Sequence, residues 1–217
     1  AGQWYKAALP DVTSALEKVK AEKRLGEISK LRRPIGRVDL GGDAPPLAVA
    51  PFDAAEAKRH QARWAEYLGV PVEITNSIGM KLVLIPPGEF MMGSSEDEAG
   101  DTDDEDPQHR GRITQPFYLS KHEVTQAQWE GVMGDNPSRF KGATHPVQRV
   151  SWNDCQVFLE RLNARAEQAA VEGTFRLPSE AEWEYACRAG TTTRFCWGDS
   201  DSEDVVKDYC WYWGNAH

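Results

Sequence analysis

The chain has 217 residues with a net charge of -9, and 40% of its residues are hydrophobic, proportions that suit one or two globular domains. No unbroken apolar stretch reaches the roughly eighteen residues of a membrane helix, so no membrane span is expected. Acidic residues dominate and no Lys/Arg cluster stands out, which argues for no nucleic acid among the partners. Four cysteines (Cys155, Cys187, Cys196, Cys210) are too few for a disulfide scaffold, and with no C-x-x-C pair among them a structural zinc site has no support.

The chain starts at Ala1 rather than Met, shows no basic-then-apolar leader, and ends at Trp213-Gly214-Asn215-Ala216-His217 without a polar tail or helix stop. The expectation is a piece of a longer protein with further domains. Residues 1–33 read as a helical extension. Pro10 and Asp11 suit a first helical turn, and Val12, Leu16 and Val19 recur at helix spacing. Leu25, Ile28 and Leu31 continue a looser stripe until Arg33-Pro34 closes it. The other faces are charged, the pattern of a solvated helix linking domains, with a partner-binding helix as the alternative. Residues 34–71 read as a Pro/Gly-rich linker and one short helix over about 53 to 68. Asp53 is its expected N-cap and Gly69 its stop, with Trp64 and Leu68 placed to dock on the next domain.

From residue 72 a second regime begins. Val72-Glu73-Ile74-Thr75 alternates like a strand, and Lys81 to Ile85 is an apolar run. Pro86-Pro87-Gly88 then predicts a turn, with Glu89 to Gly93 returning as the second arm of a hairpin. Residues 96–106 hold eight acids in eleven positions. Such density can collect calcium, but the alternating ligands, central Gly and terminal Glu of an EF-hand are missing, so a solvated acidic loop is expected.

Three helices come next along the chain, each with a start signal. Thr125 precedes Gln128 by three and Ser179 precedes Glu182 by three, which are capping boxes. Ser151 precedes Asp154, which is expected to be too short to close a box but favourable at the positive helix end. The helix after Ser151 places Cys155, Phe158, Leu159, Leu162 and Ala166 on one side as a core stripe. The helix after Ser179 has Trp183 and Cys187 one turn apart, and Arg188 and Gly190 mark its end. Beyond Gly190 the chain is irregular and aromatic, with Phe195, Trp197, Tyr209, Trp211, Tyr212 and Trp213 supplying burial that periodic elements do not. These elements predict an α+β domain over 72–217.

Chemical motifs are scarce. There is no Walker loop, no G-x-S-x-G elbow and no H-E-x-x-H. His60, His109, His122, His145 and His217 form no ligand-spaced pair, so they read as ordinary surface or hydrogen-bonding histidines. Glu180, Glu182 and Glu184 point apart on a helix, and structural use is expected for them rather than acid–base work.

Five ordered segments carry a resemblance. They are Asn76 to Met80 leading to Pro87-Gly88-Glu89-Phe90-Met91-Met92-Gly93-Ser94; Tyr118-Leu119 through Glu123-Val124-Thr125 to Trp129; and His145-Pro146-Val147 through Val150-Ser151-Trp152-Asn153-Asp154. Then come Arg176-Leu177-Pro178-Ser179-Glu180-Ala181-Glu182-Trp183-Glu184-Tyr185-Ala186, and last Trp197-Gly198 with Trp213-Gly214-Asn215. Together they resemble the N-terminal part of the formylglycine-generating enzyme (sulfatase-modifying factor) family.

The resemblance implies an α+β, C-type lectin-like fold with little regular structure. It also implies a copper-dependent oxidase that uses oxygen to convert the cysteine of a Cys-x-Pro-x-Arg motif, in an unfolded sulfatase peptide, to formylglycine. The family holds Cu(I) with two cysteines, a soft-ion preference. They lie beyond a Gly-Asn-x-Trp-Glu-Trp and an Arg-Gly-Gly-Ser segment, neither of which this sequence reaches, so no catalytic residue is assigned. Cys187 matches a cysteine that in some members joins a late residue in a disulfide, while Leu159 stands where a second family cysteine would be. Asn215 and the carbonyl of Ala216 fall near a calcium site, giving a possible partial site. The alternative is a non-catalytic ligand- or protein-binding module on the same fold. Iron-dependent sulfoxide synthases share the domain too, but they carry a His-rich bundle upstream, where residues 1–71 offer only His60.

Overall fold

The structure, a computed structural model, describes residues 41–95, 107–165 and 173–210. The expected helix over 1–33, the acidic run 96–106, Ala166, and the closing Trp211, Tyr212 and Trp213 lie outside the described residues. In chain order the elements are β1 (Ala48–Val49), α1 (Ala54–Leu68), β2 (Glu73–Thr75), β3 (Lys81–Ile85), β4 (Gly88–Met92), β5 (His109–Ile113) and β6 (Phe117–Ser120). They continue as α2 (Gln126–Met133), α3 (Trp152–Arg165), α4 (Glu180–Arg188) and the single turn α5 (Glu203–Val206).

Helix α1 begins and ends where its chemistry requires. The Asp53 carboxylate accepts from the Glu56 amide at 2.7 Å, and Gly69, at φ 66°, returns its N–H to the Ala65 and Glu66 carbonyls. Trp64 is fully buried with Ala65 against Leu84, and its indole N–H donates to the Pro46 carbonyl at 3.2 Å. One strand forms inside the expected linker, because Ala48 and Val49 pair in parallel with Gly88 and Glu89.

The hairpin expected around Pro86-Pro87-Gly88 does not form. β3 lies between β2 and β6 in an antiparallel sheet, with Val83 opposite both Glu73 and Leu119. β4 lies between β1 and β5 in a second sheet, with Phe90 opposite Gly111. Pro86 and Pro87 have no N–H to donate, so a continuous ladder cannot run through them, and the chain steps from one sheet to the other. β5 reads His-Arg-Gly-Arg-Ile, with no apolar alternation to announce it. Charge and shape hold it instead: Arg110 and Arg112 flank Glu89, and Gly111 leaves room for the Phe90 ring, which a Cβ would approach to 2.7 Å.

β3 alternates its side chains between two faces. Leu82 joins Met80, Trp129, Val132, Phe158 and Leu162, while Leu84 joins Trp64 and Ala65. Val83 and Ile85 point the other way, towards Phe90, Ile113, Phe117 and Tyr185. The first of these clusters is closed by α2 and α3, where the Trp129 and Phe158 rings stack at 5.0 Å and 1°.

Thr125 forms the expected capping box with Gln128, and Gly134 ends α2 at φ 89°. Asp154 corrects its expectation. Its carboxylate reaches back to the Ser151 amide at 2.8 Å while its own amide donates to the Ser151 hydroxyl at 3.2 Å, so the shorter acid does close a reciprocal cap. Buried Gln126 organises the loop after α2. Its amide nitrogen donates to the Phe140 and Pro146 carbonyls, and its oxygen accepts from Asn136 and the Gly142 amide. All four hydrogen-bonding positions of the side chain are thereby used, which is what a buried amide needs. The architecture is α+β, two three-stranded sheets with helices packed on both sides of β3.

Candidate functional site

The segment Arg176 to Ala186 carries the densest polar constellation of the described residues. Ser179 caps α4 by accepting from the Glu182 amide at 3.3 Å, and the Glu182 carboxylate accepts from the Ser179 amide at 2.8 Å. The same carboxylate takes a two-pronged bond from Arg176, at 2.6 and 2.5 Å. Burial pushes the Glu182 carboxyl upward, but the Arg176 fork and the Ser179 amide outweigh it and hold it below the usual carboxylate range.

Glu184 and Arg188, one turn apart, reach the end of β4. Glu184 accepts from the Gly93 amide at 3.0 Å and from Arg188 at 2.8 Å, and Arg188 donates to the Gly93 carbonyl at 3.0 Å. Tyr185 turns inward onto Phe90, with ring centroids 5.4 Å apart, and lies across Gly88. Burial pushes its hydroxyl pKa up. Glu182 and Glu184 are therefore committed to structure, the use expected for them from sequence. The Trp183 ring faces outward, at 50% exposure.

Cys187, in the last turn of α4, and Cys196, beyond it, come into side-chain hydrogen-bonding contact, which pulls the Cys196 thiol below its ordinary range against the opposing effect of burial. All four cysteines stand as thiols. Next to Cys196, Phe195 and Trp197 stack at 4.7 Å, and Trp197 stacks on Tyr209 at 5.0 Å. The Arg194 guanidinium lies over the Phe195 ring, 4.8 Å from its centroid. Neither the Cys187–Cys196 pair nor the Arg176–Glu182 fork is expected from sequence. The only hint of the first is that the two cysteines bracket the helix stop at Ala189-Gly190.

Of the two readings for His60, surface or hydrogen-bonding, the surface one does not hold. It is 8% exposed, packs on Phe52 at 5.5 Å, and has Nε2 3.6 Å from Glu56 while Nδ1 meets no partner. Burial pulls its pKa below the ordinary value, against the opposing pull of Glu56. Asn215 and Ala216, the expected calcium ligands, lie outside the described residues. Among the described residues no group of three or more His, Cys, Asp or Glu side chains is arranged to hold a metal ion. None of the described helices is long and apolar enough to cross a membrane.

Comparison with known proteins fits this arrangement. Residues 71–217 match the family described as "Sulfatase-modifying factor enzyme 1-like domain". The chain is 38% identical over 132 residues to "Chaperone protein LppX" of Paenibacillus barcinonensis, covering 46% of this chain and 45% of that protein. It is 28% identical over 169 residues to the formylglycine-generating enzyme of Streptomyces coelicolor, covering 54% of this chain and 50% of the relative. The chain thus spans about half the length of these curated relatives. Among solved structures, Treponema denticola variable protein 1 superposes with a TM-score of 0.53 at 23% identity, over 67% of this chain and 66% of that one, a likeness of fold. With a family match over two thirds of its length and a motif whose side chains interlock as described, the chain belongs to the sulfatase-modifying factor enzyme 1-like family, on an α+β, C-type lectin-like fold of the formylglycine-generating type.

Proposed function

We propose that the protein this chain represents is an oxidase of the formylglycine-generating type. It uses copper and oxygen to convert the cysteine of a Cys-x-Pro-x-Arg segment in an unfolded sulfatase to formylglycine. The observation that carries this reading is the family match over residues 71–217, which includes the interlocked Arg176–Ala186 motif. In this reading Glu182 and Glu184 serve as scaffold, because they are spent on capping and cross-linking α4. Calcium belongs to the same reading, with the Asn215 side chain and the Ala216 carbonyl as two oxygen ligands. The test is to load the full-length protein with Cu(I) and incubate it aerobically with a Cys-x-Pro-x-Arg peptide, capturing aldehyde with a hydroxylamine probe. No aldehyde, where the Streptomyces coelicolor enzyme converts the same peptide, would sink the catalytic reading. For calcium, the melting temperature should rise with added ion in the wild type and not in N215A.

A second reading is a non-catalytic protein-binding module, favoured by the 38% identity to a protein named as a chaperone. The same peptide separates the two: retention of the peptide with its thiol intact supports the module, and aldehyde formation removes it.

A further inference from the structure

Cys187 lies in the last turn of α4, and Cys196 lies in the loop that α4 releases. The backbone between them reverses: Ala189 at φ 46° and Gly190 at φ 93° take left-handed conformations. The Arg188 carbonyl then accepts from the Thr191 amide and hydroxyl, each at 2.9 Å, and its guanidinium donates to the Thr193 carbonyl at 3.1 Å. The Thr193 hydroxyl donates to the Phe195 carbonyl at 2.6 Å, while Phe195 and Gly198 exchange backbone bonds of 3.0 and 3.1 Å. These bonds return Cys196 to the end of α4 without help from sulfur, and the two thiols meet there.

We propose that Cys187 and Cys196 form an oxidisable dithiol, a redox site that reacts with low-molecular-weight disulfides of the glutathione type and closes a cross-link across the loop after α4. In the first step the Cys196 thiolate attacks one sulfur of the external disulfide, forming a mixed disulfide and expelling one thiolate. Cys187 then gives up its proton and attacks the Cys196 sulfur, which expels the second thiolate. The two cysteines lose two electrons and two protons in all, and the external disulfide gains both to become two thiols. Cys196 suits the first role. The hydrogen bond from Cys187 favours its thiolate, and neither cysteine is fully buried. Because Arg188 also ties α4 to Gly93, the cross-link would brace the junction between α4 and the end of β4.

The experiment equilibrates the full chain in glutathione buffers of increasing oxidised share, quenches with acid, alkylates remaining thiols, and digests with trypsin without reduction. Trypsin cuts after Arg188 and Arg194, so an intact pair appears as two peptides joined by one S–S bond and two hydrogens lighter than the separate thiols. The expected result is that this species rises as the alkylated forms of Cys187 and Cys196 fall together. C187S and C196S should each abolish it, with C187S leaving Cys196 as a mixed glutathione disulfide. C155S and C210S should retain it. Independent alkylation of both cysteines in fully oxidising buffer, separate glutathione adducts on each in the wild type, or loss of the species in C210S would overturn the proposal.

Discussion

Gly88 shows how one missing methyl group determines the meeting of two elements. A Cβ there would stand 2.1 Å from the Tyr185 hydroxyl oxygen and 2.2 Å from the Ala48 carbonyl oxygen. G88A is therefore expected to lose about 1–3 kcal/mol of stability, read from urea unfolding, the usual scale for overpacking. Adding Y185F should restore only part of that loss, because the Ala48 backbone stays in place. His60 makes a separate prediction. Its pKa is lowered in the fold, so below the ordinary value of 6.5 the unfolded chain binds the proton more readily than the folded one. Stability contributed by neutral His60 is complete above that value and declines as pH falls through the interval down to the folded pKa. Urea midpoints measured from pH 7 to pH 5 should fall in the wild type, and H60Q, which cannot gain that charge, should show a shallower decline. Burial of this residue is hidden from the sequence because Phe52, the ring it packs on, precedes the helix, outside any helical period.

At the scale of elements, α4 is fastened at both ends by groups its own sequence supplies. S179A removes the acceptor for the Glu182 amide and should cost about 1 kcal/mol, the usual worth of a cap, visible as a lower thermal midpoint. The helices are legible because their signals are local. Asp53, Thr125 and Ser179 lie within one turn of the amides they satisfy, and Gly69 must sit just past the last turn it ends. Asp154 escapes a reading based on side-chain length, because the Ser151 backbone comes close enough to meet it. Strands are harder to read. β3 announces itself as an apolar run, but its partners are set by contacts distant in sequence, and β5 is held by Glu89 and a glycine rather than by alternation. The cysteine pair is illegible for the same reason: only the folded turn over Ala189 to Phe195 brings the two sulfurs together.

Across the whole molecule, β3 is the partition that sorts the interior. Leu84 is 2% exposed between Trp64 and the sheet, so L84A should lose about 2–5 kcal/mol by denaturant unfolding, within the range for a cavity in a packed core. The family motifs recover much of this plan from sequence alone, since Gly88, Tyr185 and the capped α4 all fall inside them. What they leave unread is the step at Pro86-Pro87 that gives the plan two sheets. The column formed by Arg194, Phe195, Trp197 and Tyr209 has a different consequence. Rings held nearly parallel, at 10° and 19°, with centroids 4.7 and 5.0 Å apart have coupled transition dipoles. That column gives the chain an optical signature: a strong near-ultraviolet circular dichroism contribution, which W197L should remove although seven other tryptophans remain of the eight. The loop after α4 thereby reports on its own closure in solution, with no label attached.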